Sequence, residues 1–234
     1  MYKDKKVSLI LPCYNEEQGL EYILSNRPLF FDEVIVVDNN SSDSSADIAR
    51  RHNASVCFLS KRGYGRACRK GLEKASGDIV LMMDSDASYP VDESGKLIEE
   101  LAEKKCDFIS GCRFPLNNKR AMPWIKRKSN RFFSSLIRFL FSIGLKDSQS
   151  GMIAFRKDIL NEILPDNYDM EFGMRLKLQA WVNPNIRCYE AHINYRSRIG
   201  RVKYRSIIDG AKTVLDMFLF YFTFRKRIFK YQIN

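Results

Sequence analysis

Four short apolar runs, each separated from the next by a stretch with helical spacing, constrain this 234-residue chain more than any other feature. The runs are Val7 to Leu11 (VSLIL), Val34 to Val37 (VIVV), Val56 to Leu59 (VCFL) and Ile79 to Met83 (IVLMM). Their β-branched and apolar content suits strands of a parallel sheet buried on both faces. Glu16 to Ser25, Ser44 to Arg51 and Arg66 to Ala75 carry helix-compatible patterns, and Ser41, Ser42 and Asp43 offer N-caps for the second. A βαβαβαβ order requires right-handed crossovers, which predicts an α/β fold with a mostly parallel, doubly wound central sheet flanked by helices. Phe108 to Gly111 reads as a fifth strand. At this length and 45% hydrophobic content, the chain supports one sizeable core with an appendage.

In such a sheet, ligands collect beyond the carboxyl ends of the strands. Here those ends carry Pro12, Cys13, Tyr14, Asn15 and Glu16, then Asp38, Asn39 and Asn40, then Asp84, Ser85 and Asp86. Two carboxylates two residues apart at a strand end can hold a divalent ion, and Mg²⁺ or Mn²⁺ favours oxygen ligands shared with substrate phosphates. An ordinary acidic loop would explain Asp84 and Asp86 equally well in isolation. Asp38 can accept hydrogen bonds from a base or ribose, and the Pro12 to Glu16 turn can wall a nucleotide. No GxGxxG loop, internal repeat or low-complexity segment occurs.

The 39 Lys and Arg against 28 Asp and Glu give a net charge of +11, which attracts polyanions without choosing among phosphates, nucleic acid and an anionic leaflet. Trp124 to Phe141 interleaves Lys126, Arg127, Lys128, Arg131 and Arg138 with Trp124, Phe132, Phe133, Leu136, Phe139 and Leu140, the pattern of a basic amphipathic helix. Thr213 to Tyr231 holds an apolar run interrupted by Asp216 and falls short of the roughly 20 apolar residues a span needs, so it is expected to lie on a bilayer or pack on a partner. The six cysteines form no CxxC pair, and Met1 to Lys6 leads into a strand without a signal-peptide pattern. Reduced thiols and a cytoplasmic location are the expectation. His52 and His192 have no partners at metal spacing and read as structural.

The ordered strand-end motifs resemble glycosyltransferase family two, whose members carry P-x-Y-N-E, V-V-D-(D/N)-x-S-x-D and D-x-D. The likeness continues through Gly63-Tyr64-Gly65 with Ala67 and Gly71, Gly111-Cys112-Arg113, Asp147 to Gly151 (DSQSG), Met170-Glu171, and Tyr195-Arg196 with Arg198, Gly200 and Lys203. The later motifs are similar to those of the polyprenyl-phosphate branch, the dolichol-phosphate mannose synthase-like enzymes. The resemblance implies a GT-A fold over residues 1–203, with 124–143 as an acceptor-side amphipathic helix facing a membrane. Residues 204–234 would then be a membrane-associating or docking helix, with a membrane subunit or a second copy of the chain as its candidate partners. Two departures stand out: Ser88 replaces a Gln two positions after the second Asp, which weakens any third side-chain metal ligand, and Val202 replaces a Ser before Lys203. Asn39 stands where many members have a second acidic residue.

By this resemblance the chain is a metal-dependent inverting transferase moving a sugar from a nucleotide-sugar, GDP-mannose or a UDP-hexose, to polyprenyl or dolichyl phosphate at the cytoplasmic face of a membrane. The donor site comprises Pro12, Tyr14, Asn15, Glu16, Asp38, Gly65, Asp84 and Ser85, with Asp84 and Asp86 on Mg²⁺ or Mn²⁺. Asp86, Arg113, Glu171, Arg198 and Lys203 are the catalytic candidates, and Arg113, Arg127, Arg131, Arg198 and Lys203 the acceptor-phosphate candidates. Asp147 and Ser150 support them from behind. A phosphate acceptor is already largely dianionic at neutral pH and needs positioning more than deprotonation, which arginine provides. One alternative keeps the fold but transfers to a hydroxyl of a glycan or small molecule, with Asp169 or Glu171, which begin an amphipathic helical pattern, as base. Another is a non-enzymatic protein that binds RNA or anionic lipid; under the preferred reading nucleic acid is not a partner.

Overall fold

The computed structural model describes residues 2–166, 171–200, 214–215 and 217–223. Among the described residues, seven strands form one sheet in the order β3-β2-β1-β4-β6-β5-β7. They are β1 (Val7–Cys13), β2 (Glu33–Asp38), β3 (Ser55–Phe58), β4 (Ile79–Met82), β5 (Phe108–Cys112), β6 (Ile153–Arg156) and β7 (Cys188–His192). The first four run parallel, with Cys13 opposite Asp38 and Ile10 opposite Met82. β6 is antiparallel to both β4 and β5, and β7 is parallel to β5.

The helices are α1 (Glu17–Asn26), α2 (Ser45–Arg51), α3 (Tyr64–Lys74), α4 (Ser94–Glu103), α5 (Trp124–Phe141), α6 (Leu160–Ile163) and α7 (Phe172–Val182). Side chains alternate across a strand, so each buried strand serves two cores. Leu9, Leu11, Val34, Val36 and Leu81 face a core closed by Leu20, Ile23 and Leu24 of α1 and Leu97, Ile98 and Leu101 of α4. Ile10, Ile35, Val37, Val80 and Met82 face the other, closed by Ala67 and Leu72 of α3 and Phe172, Leu176 and Ala180 of α7. A third cluster joins Ile137 of α5 and Leu145 to Met174 and Leu178 of α7, with Met217 and Phe220 from the helical stretch 217–223.

Three expectations change. The parallel series is broken by β6, which sits between β4 and β5; a four-residue strand carries too little periodicity to be told from a loop. β3 is an edge strand rather than a strand buried on both faces, with Phe58 61% exposed. The helix expected to be amphipathic near Glu171 is instead buried on several sides through Phe172, Met174, Leu176, Lys177, Leu178 and Ala180, because it packs between the second and third cores. Asp169 and Lys203 lie outside the described residues, as do 204–213 and 224–234. Among the described residues, no helix is long and apolar enough to cross a membrane.

Candidate active site

The carboxyl ends of β1, β2 and β4 meet at one edge of the sheet, and their polar residues are tied together before any ligand is considered. Asn15 sits at φ 50°, a left-handed conformation that asparagine tolerates, and its amide accepts from Ser42 N at 2.7 Å. Asn15 N donates to Ser41 Oγ at 3.0 Å and Glu16 N to Ser45 Oγ at 3.1 Å, so the turn after β1 is braced against the turn after β2. Asp38 is buried, accepts from Ser41 N at 3.1 Å, and lies opposite Cys13. Asn39 accepts from Gly63 N at 2.9 Å, which gives this departure a structural role in holding the start of α3 and its buried Gly65. Arg62 stacks on the Tyr14 ring at 4.5 Å. Ser85 Oγ donates to Pro12 O at 2.9 Å, and a Cβ on Gly19 would fall 2.5 Å from Ser85 O, so only glycine lets α1 come this close.

Asp84 and Asp86 therefore stand on a braced loop beyond β4. Tyr64 donates its hydroxyl to Asp84 Oδ1 at 2.9 Å. Burial, reinforced by the neighbouring Asp86 charge, pushes the Asp84 carboxyl up to about 6. Ala87 at φ 58° is a strained left-handed residue that turns Ser88 back, so that Ser88 N and Oγ both bond Asp86 Oδ1, at 3.0 and 2.5 Å. Ser88 thus orients Asp86. Two neighbouring carboxylates, whose crowding a bound cation would relieve, are a donor set suited to a divalent ion. Among the described residues no group of three or more His, Cys, Asp or Glu gathers, so such an ion would share its shell with water and phosphate oxygens, as Mg²⁺ does.

The cationic side is built from β5, α5 and the segment after β7. Arg113 is buried and donates to Asp147 through its backbone N at 3.0 Å and through Nε and Nη2 at 2.8 Å each. Burial alone would raise the Asp147 carboxyl, but the Arg113 guanidinium outweighs it and holds the carboxyl below its usual range. Arg113 also stacks on Tyr195 at 5.3 Å. Arg198 bonds Glu16 Oε1 at 2.7 Å and reaches Asp86 Oδ2 at 3.4 Å, while Ile199 N donates to Asp86 O at 2.9 Å. The segment carrying Arg196 and Arg198 thus crosses the loop of Asp84 and Asp86, and Gly200 at φ 90° continues from it. Glu171 is buried at the N-cap of α7. Ser150 is buried in the turn before Gly151, where a Cβ would fall 2.7 Å from Asp84 Oδ2, so the turn rests on that carboxylate.

Not every predicted cation comes to this place. Arg127 and Arg131 line a trough of about 430 Å³ with Pro115, Leu116, Lys119, Trp124 and Lys128, and Arg131 stacks on Phe114 at 5.3 Å. Lys126, which the sequence did not single out as a site residue, is an α5 cation that feels the charges of the centre. Partial burial of its ammonium and then the Arg113 charge hold it below its usual range, with Asp84 and Asp86 opposing, although the side chain as a whole is exposed. His52 pairs with Glu21 at 2.7 Å and His192 with Pro115 O at 2.8 Å, both structural. The cysteines are free, with Cys13, Cys68, Cys106 and Cys112 buried.

A mixed sheet of this order, with two carboxylates beyond its fourth strand and facing cations, is a GT-A-type fold. The chain belongs to glycosyl transferase family 2, whose profile matches residues 8–164, and it is a glycosyltransferase. An uncharacterized glycosyltransferase of Mycobacterium bovis is 32% identical over 83% of this chain and 87% of its own length. A dolichyl-phosphate hexose transferase of Haloferax volcanii is 29% identical over 90% of this chain and 91% of its own. The fold is shared with glucosyl-3-phosphoglycerate synthase of Mycobacterium tuberculosis, solved with Mn²⁺ and UDP-glucose, at a TM-score of 0.76 and 20% identity over 93% of this chain and 79% of that one.

Proposed function

We propose that the chain moves a hexose from a nucleotide-sugar, GDP-mannose or a UDP-hexose, to a polyprenyl or dolichyl phosphate at the cytoplasmic face of a membrane. The observation that carries this reading is the position of α5. Lys126 shares the side of the helix that buries Asn130 and Ile137 and feels the charges of Asp84, Asp86 and Arg113, while Trp124, Ile125, Phe132 and Phe139 stand exposed on the other, Phe139 by 82%. A phosphate on an apolar chain is the acceptor that uses both sides. The relatives named as dolichyl-phosphate and undecaprenyl-phosphate transferases support the same choice.

The donor's nucleotide would lie along the ends of β1 and β2, against Pro12, Tyr14, Asn15, Asp38 and Ser85. Asp84 and Asp86 would hold Mg²⁺ or Mn²⁺, which supplies charge neutralisation for the departing diphosphate; structural neighbours were crystallised with both ions and UDP. Arg113, Lys126 and Arg198, with Lys203 beyond the described residues, would orient the acceptor phosphate. Its oxygen attacks the anomeric carbon, the C1–O bond to the diphosphate breaks with inversion, and the nucleoside diphosphate leaves with the bonding pair. No base is needed, because the phosphate is already ionised. Glu171, buried at the α7 N-cap, is then an electrostatic neighbour rather than a proton acceptor.

The test is acceptor choice with a donor panel and Mn²⁺. The proposed function expects transfer to a short-chain polyprenyl phosphate, none to the matching polyprenol or to phosphoglycerate, and none by Asp86→Ala. Transfer to the alcohol or to phosphoglycerate, with the lipid phosphate inert, overturns it.

A further inference from the structure

The turn from Asp147 to Gly151 touches Arg113, α5, Tyr89 and Asp84. Asp147 clamps Arg113, Ser148 N donates to Ser134 Oγ of α5 at 3.0 Å, and Gly151 N donates to Tyr89 OH at 2.6 Å while its Cα faces Asp84. The turn's own closing bond, Ser150 N to Asp147 O, is long at 3.4 Å and weak. What draws its two carbonyls together comes from behind. Lys177 of α7 is fully buried at 0% exposure, and its Nζ donates to Asp147 O at 3.2 Å and Ser150 O at 2.6 Å.

An ammonium at this depth is expensive to desolvate, and an apolar side chain of similar volume would stabilise the fold at least as well. Burial holds the Lys177 amine down at about 8, with Arg113 acting in the same direction and Asp147 and Glu190 opposing. Its neighbours along α7, Leu176 and Leu178, fill the two flanking cores, so Lys177 is the polar one among the buried residues of that helix.

We infer that Lys177 is a positioning residue for sugar transfer: it gathers the Asp147 and Ser150 carbonyls and so holds Arg113, which Asp147 clamps, in its working place. The inference rests on the proposed role of Arg113 at the acceptor phosphate. The donor's contacts along β1 and β2 do not run through this turn, which separates the expected effects on the two substrates.

The experiment compares wild type, Lys177→Met and Lys177→Gln with Mn²⁺, nucleotide-sugar and polyprenyl phosphate, measuring kcat and both KM values alongside thermal unfolding. Lys177→Met is expected to keep the donor KM within about twofold while kcat falls about tenfold to a hundredfold, the scale on which small misplacements act, with the acceptor KM raised. Lys177→Gln, whose amide can still donate to one carbonyl, is expected to fall between. Wild-type kinetics in Lys177→Met overturn the inference, as does activity in both variants that falls only in proportion to the folded fraction. Failure of wild type to use any lipid phosphate instead overturns the proposed function, so the two failures are distinct.

Discussion

At the residue scale, the site couples two electrostatic designs of opposite sign. Arg113 and Asp147 form a buried pair in which each satisfies the other, so removing one partner strands a charge. Asp147→Ala is expected to lower unfolding free energy by about 3 kcal/mol or more, read by chemical denaturation. Asp84 works the other way. Its carboxyl titrates at about 6 when folded, against the 3.8 of an ordinary aspartate, so between those values the folded protein binds more protons than the unfolded chain. Stability contributed by Asp84 therefore falls as pH rises through that window and stays lost above it. Without divalent ions, Asp84→Asn should melt higher than wild type at pH 7 and lose this part of the pH slope. Added Mn²⁺ should raise the melting temperature of wild type and not of the variant. A wild type that melts above Asp84→Asn in chelator at pH 7 would contradict this.

The same scale shows why Lys126 is hidden in the sequence while Asp84 and Asp86 are plain. The carboxylates follow an apolar strand, whose end is a defined place in an α/β sheet. Lys126 is one of three consecutive cations, and successive helix residues point about 100° apart. Which of them meets the site depends on how α5 docks, and that is set by Ile137 and Ser134, distant in sequence from Lys126.

Among the elements, α5 runs over the residues its pattern predicts, because an 18-residue helix offers several turns of amphipathic signal. β6 is not legible because four residues offer no such signal, and its antiparallel place follows from long-range pairing to β4 and β5. α7 departs from its expected pattern for a related reason: it packs against two cores, so its apolar residues do not confine themselves to one stripe. The exposed aromatic face of α5 carries its own prediction. Phe132→Ser with Phe139→Ser should weaken binding to vesicles containing phosphatidylglycerol by at least about tenfold, from the apolar area lost, without altering the melting temperature. Unchanged vesicle binding would remove α5 from the membrane interface.

At the scale of the whole molecule, the net charge of +11 is spread unevenly. The troughs beside α5 are lined by Lys119, Arg127, Lys128, Arg131, Arg138 and Lys146 with no acidic residue, next to the centre where the carboxylates stand. In the helical stretch 217–223, Leu219 and Phe222 are exposed while Met217 and Phe220 pack with Ile137 of α5. A donor approaching from the strand ends and a lipid phosphate approaching along α5 would meet at Asp84, Asp86 and Arg113. That meeting is the central claim, and the bond it forms can be observed directly. With donor labelled by ¹³C at the anomeric carbon, the organic-phase product should show that carbon coupled to phosphorus, with its configuration inverted relative to the donor. A labelled product whose anomeric carbon has no phosphorus coupling would contradict the account.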